Sequence, residues 1–113
     1  MKQDKKRILN LWELKPTRLA KWEVSPEGKV VVLVPKFRNP LLAKWLMPRL
    51  AKPYFHIKLD DVGSEVWKYC DGETSVEQIS FRLKERFGTK VEPVEDRIGR
   101  FLNHLERGDL VSM

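Results

Sequence analysis

Tyr54-Phe55-His56-Ile57-Lys58-Leu59-Asp60-Asp61-Val62-Gly63-Ser64-Glu65-Val66-Trp67 is the stretch in which the chain changes its period. Up to Leu59, apolar and polar residues alternate. Phe55, Ile57 and Leu59 fall on one face and Tyr54, His56 and Lys58 on the other, the pattern of a half-buried strand. From Asp60 the repeat becomes helical: Val62, Val66, Tyr69 and Cys70 recur on one side. Asp60 or Asp61 can accept hydrogen bonds from the exposed amides of the first turn, and Asp71-Gly72 ends the helix.

Two further helices follow. Ser75 with Gln78 forms a capping box ahead of an apolar stripe of Val76, Ile79, Leu83 and Phe87, and Gly88 supplies the left-handed terminal position. Pro93 opens the next helix, with Val94, Ile98, Phe101, Leu102 and Leu105 on one side and Gly108 at its end. Leu110 and Val111 are candidates for a last short strand.

Upstream, Lys21 to Ser25 alternates like a strand, Pro26-Glu27-Gly28 is turn chemistry, and Lys29 to Val34 is a β-branched run suited to a central position covered on both faces. Pro35 ends that run. The expected fold is therefore α+β and winged helix-turn-helix-like: a three-stranded antiparallel sheet followed by a three-helix bundle, all sharing one core.

A chain of 113 residues has room for a single core of this kind. Residues 1–15 read as a flexible basic N-terminus, with Met1 to Asn10 polar, lysine-rich and frayed, and 16–113 as one domain carrying an inserted basic segment at 36–53. In that segment Lys36, Arg38, Lys44, Arg49 and Lys52 interleave with Leu41, Leu42, Trp45, Leu46 and Leu50. Pro40 can start a short helix and Pro48 ends it, so an irregular, partly helical excursion is predicted. Basic residues around Trp45 suit docking to an anionic membrane or an acidic protein; alternatively Trp45 and the leucines cover one edge of the sheet.

Composition narrows the function classes. Apolar residues at 42% and charged ones at 34% describe a globular, water-exposed chain. No apolar run approaches the roughly 20 residues of a membrane span, and the N-terminus lacks the apolar core of a secretory signal. A single cysteine, Cys70, forbids an intrachain disulfide, and the expected home is the reducing cytoplasm. The net charge of +6 is unevenly spread: residues 1–52 hold 13 Lys and Arg against 4 Asp and Glu, residues 53–113 hold 9 against 12.

That asymmetry argues against DNA. The helix from Glu92 to Asp109 stands where a winged-helix protein would carry its recognition helix, and it holds three arginines against five acidic residues. Such a surface repels phosphates. Catalysis also lacks machinery. Cys70 lies on an apolar stripe as packing, Asp60 and Asp61 are helix caps, and His56 and His104, the only histidines, do not make a metal set. No phosphate-binding glycine motif or nucleophile elbow is present. No enzyme activity, cofactor or metal is expected.

The run Ile57-Lys58-Leu59-Asp60-Asp61 with Val66-Trp67 and Asp71-Gly72, then Ser75-Val76-Glu77-Gln78-Ile79, resembles the PqqD family, small proteins of pyrroloquinoline quinone biosynthesis. The likeness continues through Leu83, Phe87-Gly88, Phe101-Leu102 and Leu105 to Val111, and reaches back more weakly to Trp22, Gly28 and Val30 to Val34. It implies a PqqD-like domain from about residue 16 onward that acts as a non-catalytic RiPP recognition element. Such a peptide chaperone captures the leader of a ribosomally made precursor peptide and presents it to a modifying enzyme, typically a radical SAM maturase. The resemblance further implies that the peptide adds beside the third strand and leans on the third helix, which here means Tyr54, Phe55, His56, Ile57 and Lys58 with Arg97, Arg100, Phe101 and His104. An edge strand offering unpaired amides and carbonyls suits that mode on physical grounds too. A winged-helix nucleic-acid-binding domain and a protein-scaffolding or homodimerisation module are the alternatives. The segment 36–53 departs from the family's compact pattern and, folded over the third strand, would block or regulate its edge.

Overall fold

The computed structural model describes residues 11–36, 41, 44 and 53–113. The frayed start at 1–10 and the excursion built on Pro40, Trp45 and Pro48 lie outside the described residues.

The sheet forms as expected. Strand β2 (Lys21–Val24) pairs antiparallel with β3 (Val30–Pro35), and β3 with β4 (Tyr54–Lys58), in the spatial order β2-β3-β4. A tight turn carries β2 into β3: the Gly28 amide donates to the Ser25 carbonyl, and Ser25 N–H to that of Lys29. Trp22 lies opposite Val32, and Val32 opposite Ile57, so these three share one face with Val24, Val30, Val34 and Phe55. That face meets the helices. Val30 and Val32 are fully buried in a core that also contains Val66, Trp67, Ile79, Leu83, Ile98 and Leu102. The expectation that β3 is covered on both faces needs correction: Val31 and Leu33, on the opposite face, are only half-buried among the described residues. The β-branched run reflects strand preference as well as burial.

Three helices follow: α1 (Asp61–Lys68), α2 (Val76–Phe87) and α3 (Val94–Arg107). The Asp60 carboxylate accepts the Gly63 amide at 2.7 Å and caps α1. Ser75 and Gln78 close a reciprocal capping box on α2, satisfying two first-turn donors. Gly88 ends α2 with φ 59° and ψ −132°, a backbone that a side chain would strain. At the end of α3, Gly108 has an ordinary negative φ and the left-handed residue is Asp109, φ 57°. The turn therefore closes one position later than the glycine suggests.

A two-residue strand β1 (Thr17–Arg18) pairs antiparallel with β5 (Val111–Ser112), joining the two ends of the described chain. Leu11, Trp12 and Leu14, assigned by sequence to the basic tail, pack against the core. Arg18 holds this layer in place: its guanidinium donates to the Trp67 and Lys68 carbonyls at 3.0 and 2.8 Å and lies 5.4 Å from the Trp22 ring. It thereby reaches the Lys68 carbonyl at the end of α1 and adds a second donor to that of Trp67, which also accepts the Cys70 amide at 3.1 Å.

Candidate functional site: a strand edge beside a helical cleft

Strand β4 is the outer strand of the sheet among the described residues, and the ladder fixes which of its backbone groups face outward. Leu59 N–H donates to the Val30 carbonyl at 2.8 Å, and Lys36 N–H to the Pro53 carbonyl at 3.0 Å. In an antiparallel ladder such pairs alternate along the strand. Pro53, Phe55, Ile57 and Leu59 therefore turn their backbone polar groups toward β3. Tyr54, His56 and Lys58 turn theirs away from it, leaving three amides and three carbonyls along the outer margin.

The side chains divide the other way. Phe55 and Ile57 project on the face of the buried valines, yet at the margin they remain 55% and 43% exposed. Tyr54, His56 and Lys58 project on the opposite face, across from Pro35, Leu33 and Val31. Lys36 sits 5.4 Å from the Phe55 ring, and Lys58 forms a 2.7 Å ion pair with Glu27 of the hairpin turn, which holds the Glu27 carboxyl below its usual range. A strand laid along β4 would thus meet an apolar strip on the inner side and polar groups on the outer.

The cleft begins where β4 ends. It has a volume of about 340 Å³, with Val62, Val66, Val94, Ile98 and Phe101 as its apolar lining and Asp60, Asp96, Arg97 and Arg100 among its polar residues. Gly63, in the first turn of α1, is the junction. A Cβ there would lie 3.1 Å from Asp60 Oδ1, 3.3 Å from Phe101 Cζ and 3.4 Å from Leu59 Cβ. The absence of that carbon lets the Phe101 ring seat against the start of α1, directly beyond the last residues of β4.

Of the nine residues expected at the site, Phe55 and Ile57 line the inner side of the margin, and Arg97, Arg100 and Phe101 line the cleft. Tyr54, His56 and Lys58 contribute outward backbone groups, with their side chains directed away from the helices. His104 is exposed and does not line the cleft. Both arginines have intramolecular partners: Arg97 donates to the Lys90 carbonyl, and Arg100 pairs with Asp96 at 3.3 Å. Asp60, Val62 and Gly63 join the site without having been expected there as more than helix residues. The signal was present in Gly63, since a glycine inside an amphipathic helix commonly marks a close approach.

Cys70 lies away from this surface, fully buried, its thiol donating to the Val66 carbonyl at 3.2 Å; burial pushes its pKa up to about 12. It is packing. Among the described residues no three His, Cys, Asp or Glu side chains form a metal-holding group, and no helix is long and apolar enough to cross a membrane.

The fold and the site define an α+β domain whose outer strand β4, unpaired on one side among the described residues, is followed by a cleft between the first and third helices. The family model described as Coenzyme PQQ synthesis protein D (PqqD) matches residues 54–111, just over half of the chain, and the protein belongs to that family. The match starts at the first residue of β4, so the weaker likeness over Trp22 to Val34 lies outside it. No significant match was found among curated proteins or among solved structures.

Proposed function

We propose that this domain is a non-catalytic peptide chaperone of the PqqD type, which binds the leader of a ribosomally made precursor and presents it to a modifying enzyme of the radical SAM class. The observation that carries the reading is the continuity of the β4 margin with the cleft. Outward backbone groups at Tyr54, His56 and Lys58 would pair with an extended segment, Phe55 and Ile57 would contact alternate side chains of it, and the cleft floored by Phe101 would take an apolar residue at one end. Arg97 and Arg100 favour an acidic residue nearby, to the extent that exchange of their present partners allows. Family membership supports an accessory role in coenzyme PQQ synthesis or a related peptide-maturation pathway. The acidic surplus on α3 disfavours the nucleic-acid alternative.

The test is a titration of the isotopically labelled protein with candidate leader peptides, followed by amide chemical shifts. Perturbations centred on 54–58 and 97–101 are expected. Perturbations confined to residues 11–30 would overturn the site.

A further inference from the structure

The sheet has a second outer strand. Among the described residues nothing pairs with the far side of β2, and the same ladder parity applies there: Val30 turns its backbone groups toward β4, where its amide meets Ser64 Oγ and its carbonyl the Leu59 amide. Opposite Val30 stands Val24, so Val24 and Trp22 point their amides and carbonyls outward, while Lys21 and Glu23 bond inward to β3. Lys21 and Glu23 are exposed on the outer face, with no ion-pair partner among the described residues. Val24, 52% exposed, and Leu19, 58% exposed, flank them.

We propose that this margin pairs with the same margin of a second copy of the chain, antiparallel about a two-fold axis at Trp22. The charges select both the partner and the register. Outward groups must meet outward groups, so a symmetric pairing is centred at a residue and not between two, and the charged stretch of β2 offers residues 21, 22 and 23. Centring on Lys21 sets two lysines opposite each other, and centring on Glu23 sets two glutamates opposite each other. Centring on Trp22 places Lys21 of each copy opposite Glu23 of the other, twice. Charges on an edge strand usually discourage pairing. Here they discourage strands in general and admit one that carries the same lysine and glutamate in antiparallel order. The joined sheet would run through six strands with a β4 at each end, so the inference does not depend on what β4 binds.

Sedimentation velocity of the full chain over a range of concentrations tests it. The parent should show a concentration-dependent dimer. Lys21→Glu and Glu23→Lys should each weaken it about tenfold or more by turning two attractive cross-strand pairs into repulsive ones. The double exchange should restore it, and the two single variants mixed should form a heterodimer. Both side chains are exposed, and circular dichroism verifies that each variant remains folded. A parent that stays monomeric throughout, or a dimer indifferent to both single exchanges, overturns the proposal. A dimer lost only with His56→Pro would move the contact to β4 and overturn it equally.

Discussion

Ser64 Oγ accepts the Val30 amide at 2.9 Å and lies 3.4 Å from the Leu59 carbonyl, both within the core. A helix side chain thereby continues the β3 ladder at the point where β4 departs, and it fixes the angle between the margin of β4 and the first turn of α1. Replacing Ser64 with Ala leaves the buried Val30 donor without a partner. The expected cost is about 1–3 kcal/mol of folding stability, measured by urea denaturation. A loss below about 0.5 kcal/mol would mean that the bond is dispensable.

Gly63→Ala should separate geometry from helix propensity. In an open helix the exchange stabilises by about 0.5–1 kcal/mol. Here the added carbon meets Asp60 Oδ1, Phe101 Cζ and Leu59 Cβ at 3.1, 3.3 and 3.4 Å, the first belonging to the carboxylate that caps α1, so a net destabilisation and a displaced Phe101 ring are expected. Thermal unfolding and the Phe101 ring-proton shifts report the two effects. A variant more stable than the parent, with its ring signals unmoved, would contradict the close approach.

His56→Pro acts on the margin without entering the sheet. The His56 amide faces away from β3, so the ladder loses no bond, while an incoming strand loses a donor and meets the proline ring. Leader affinity should fall about tenfold or more, with the melting temperature nearly unchanged. Ile57→Pro removes an amide that bonds to β3 and should unfold the sheet. Calorimetric titration of His56→Pro with unchanged affinity would count against strand addition.

Cys70 should be inert in the native state. Its thiol titrates at about 12 because it is buried, and only the thiolate attacks. Its reaction with a disulfide reagent at pH 8 should wait for unfolding and accelerate sharply in guanidinium. Rapid labelling of the folded protein would show the core to be open there.

Asp71 gives acid sensitivity. Its carboxylate accepts the Glu73 and Thr74 amides at 2.9 and 2.8 Å and the Thr74 hydroxyl at 3.1 Å, and these bonds hold its pKa below the ordinary 3.8. The unfolded chain therefore takes up the proton first as pH falls. The stabilisation is complete above about pH 5 and disappears as pH drops through the lowered folded value. Asp71→Asn should flatten that part of the stability profile, recorded as melting temperature against pH, while leaving the plateau near pH 7 only modestly lowered.

The helices were legible because their ends are written chemically: Asp60, the Ser75/Gln78 box and Pro93 each mark a start, and an apolar stripe runs behind each. The division of β4 into a Phe55/Ile57 side and a Tyr54/His56/Lys58 side followed from alternation alone. β1 escaped because two residues, Thr17 and Arg18, carry no period. The packing of Leu11, Trp12 and Leu14 escaped because a lysine-rich neighbourhood conceals three apolar residues within it. At the site, the partner of Arg97 could not be read from sequence, since a carbonyl at Lys90 leaves no mark in a side-chain pattern, whereas Asp96 stands at the i,i+4 spacing from Arg100 that pairs side chains on a helix. Ser64 carries no mark in the sequence of its bond to the Val30 amide, 34 residues away along the chain.

Because Thr17 faces Ser112 across the β1–β5 pair and Leu11 lines the same cleft as Met113, the first and last described residues lie at neighbouring points. The module can therefore be spliced into a surface loop of a larger protein through a single pair of joints, with no long tether needed to bridge them. An excised 54–111 segment, by contrast, would leave behind the strand that contributes Val30 and Val32 to the interior.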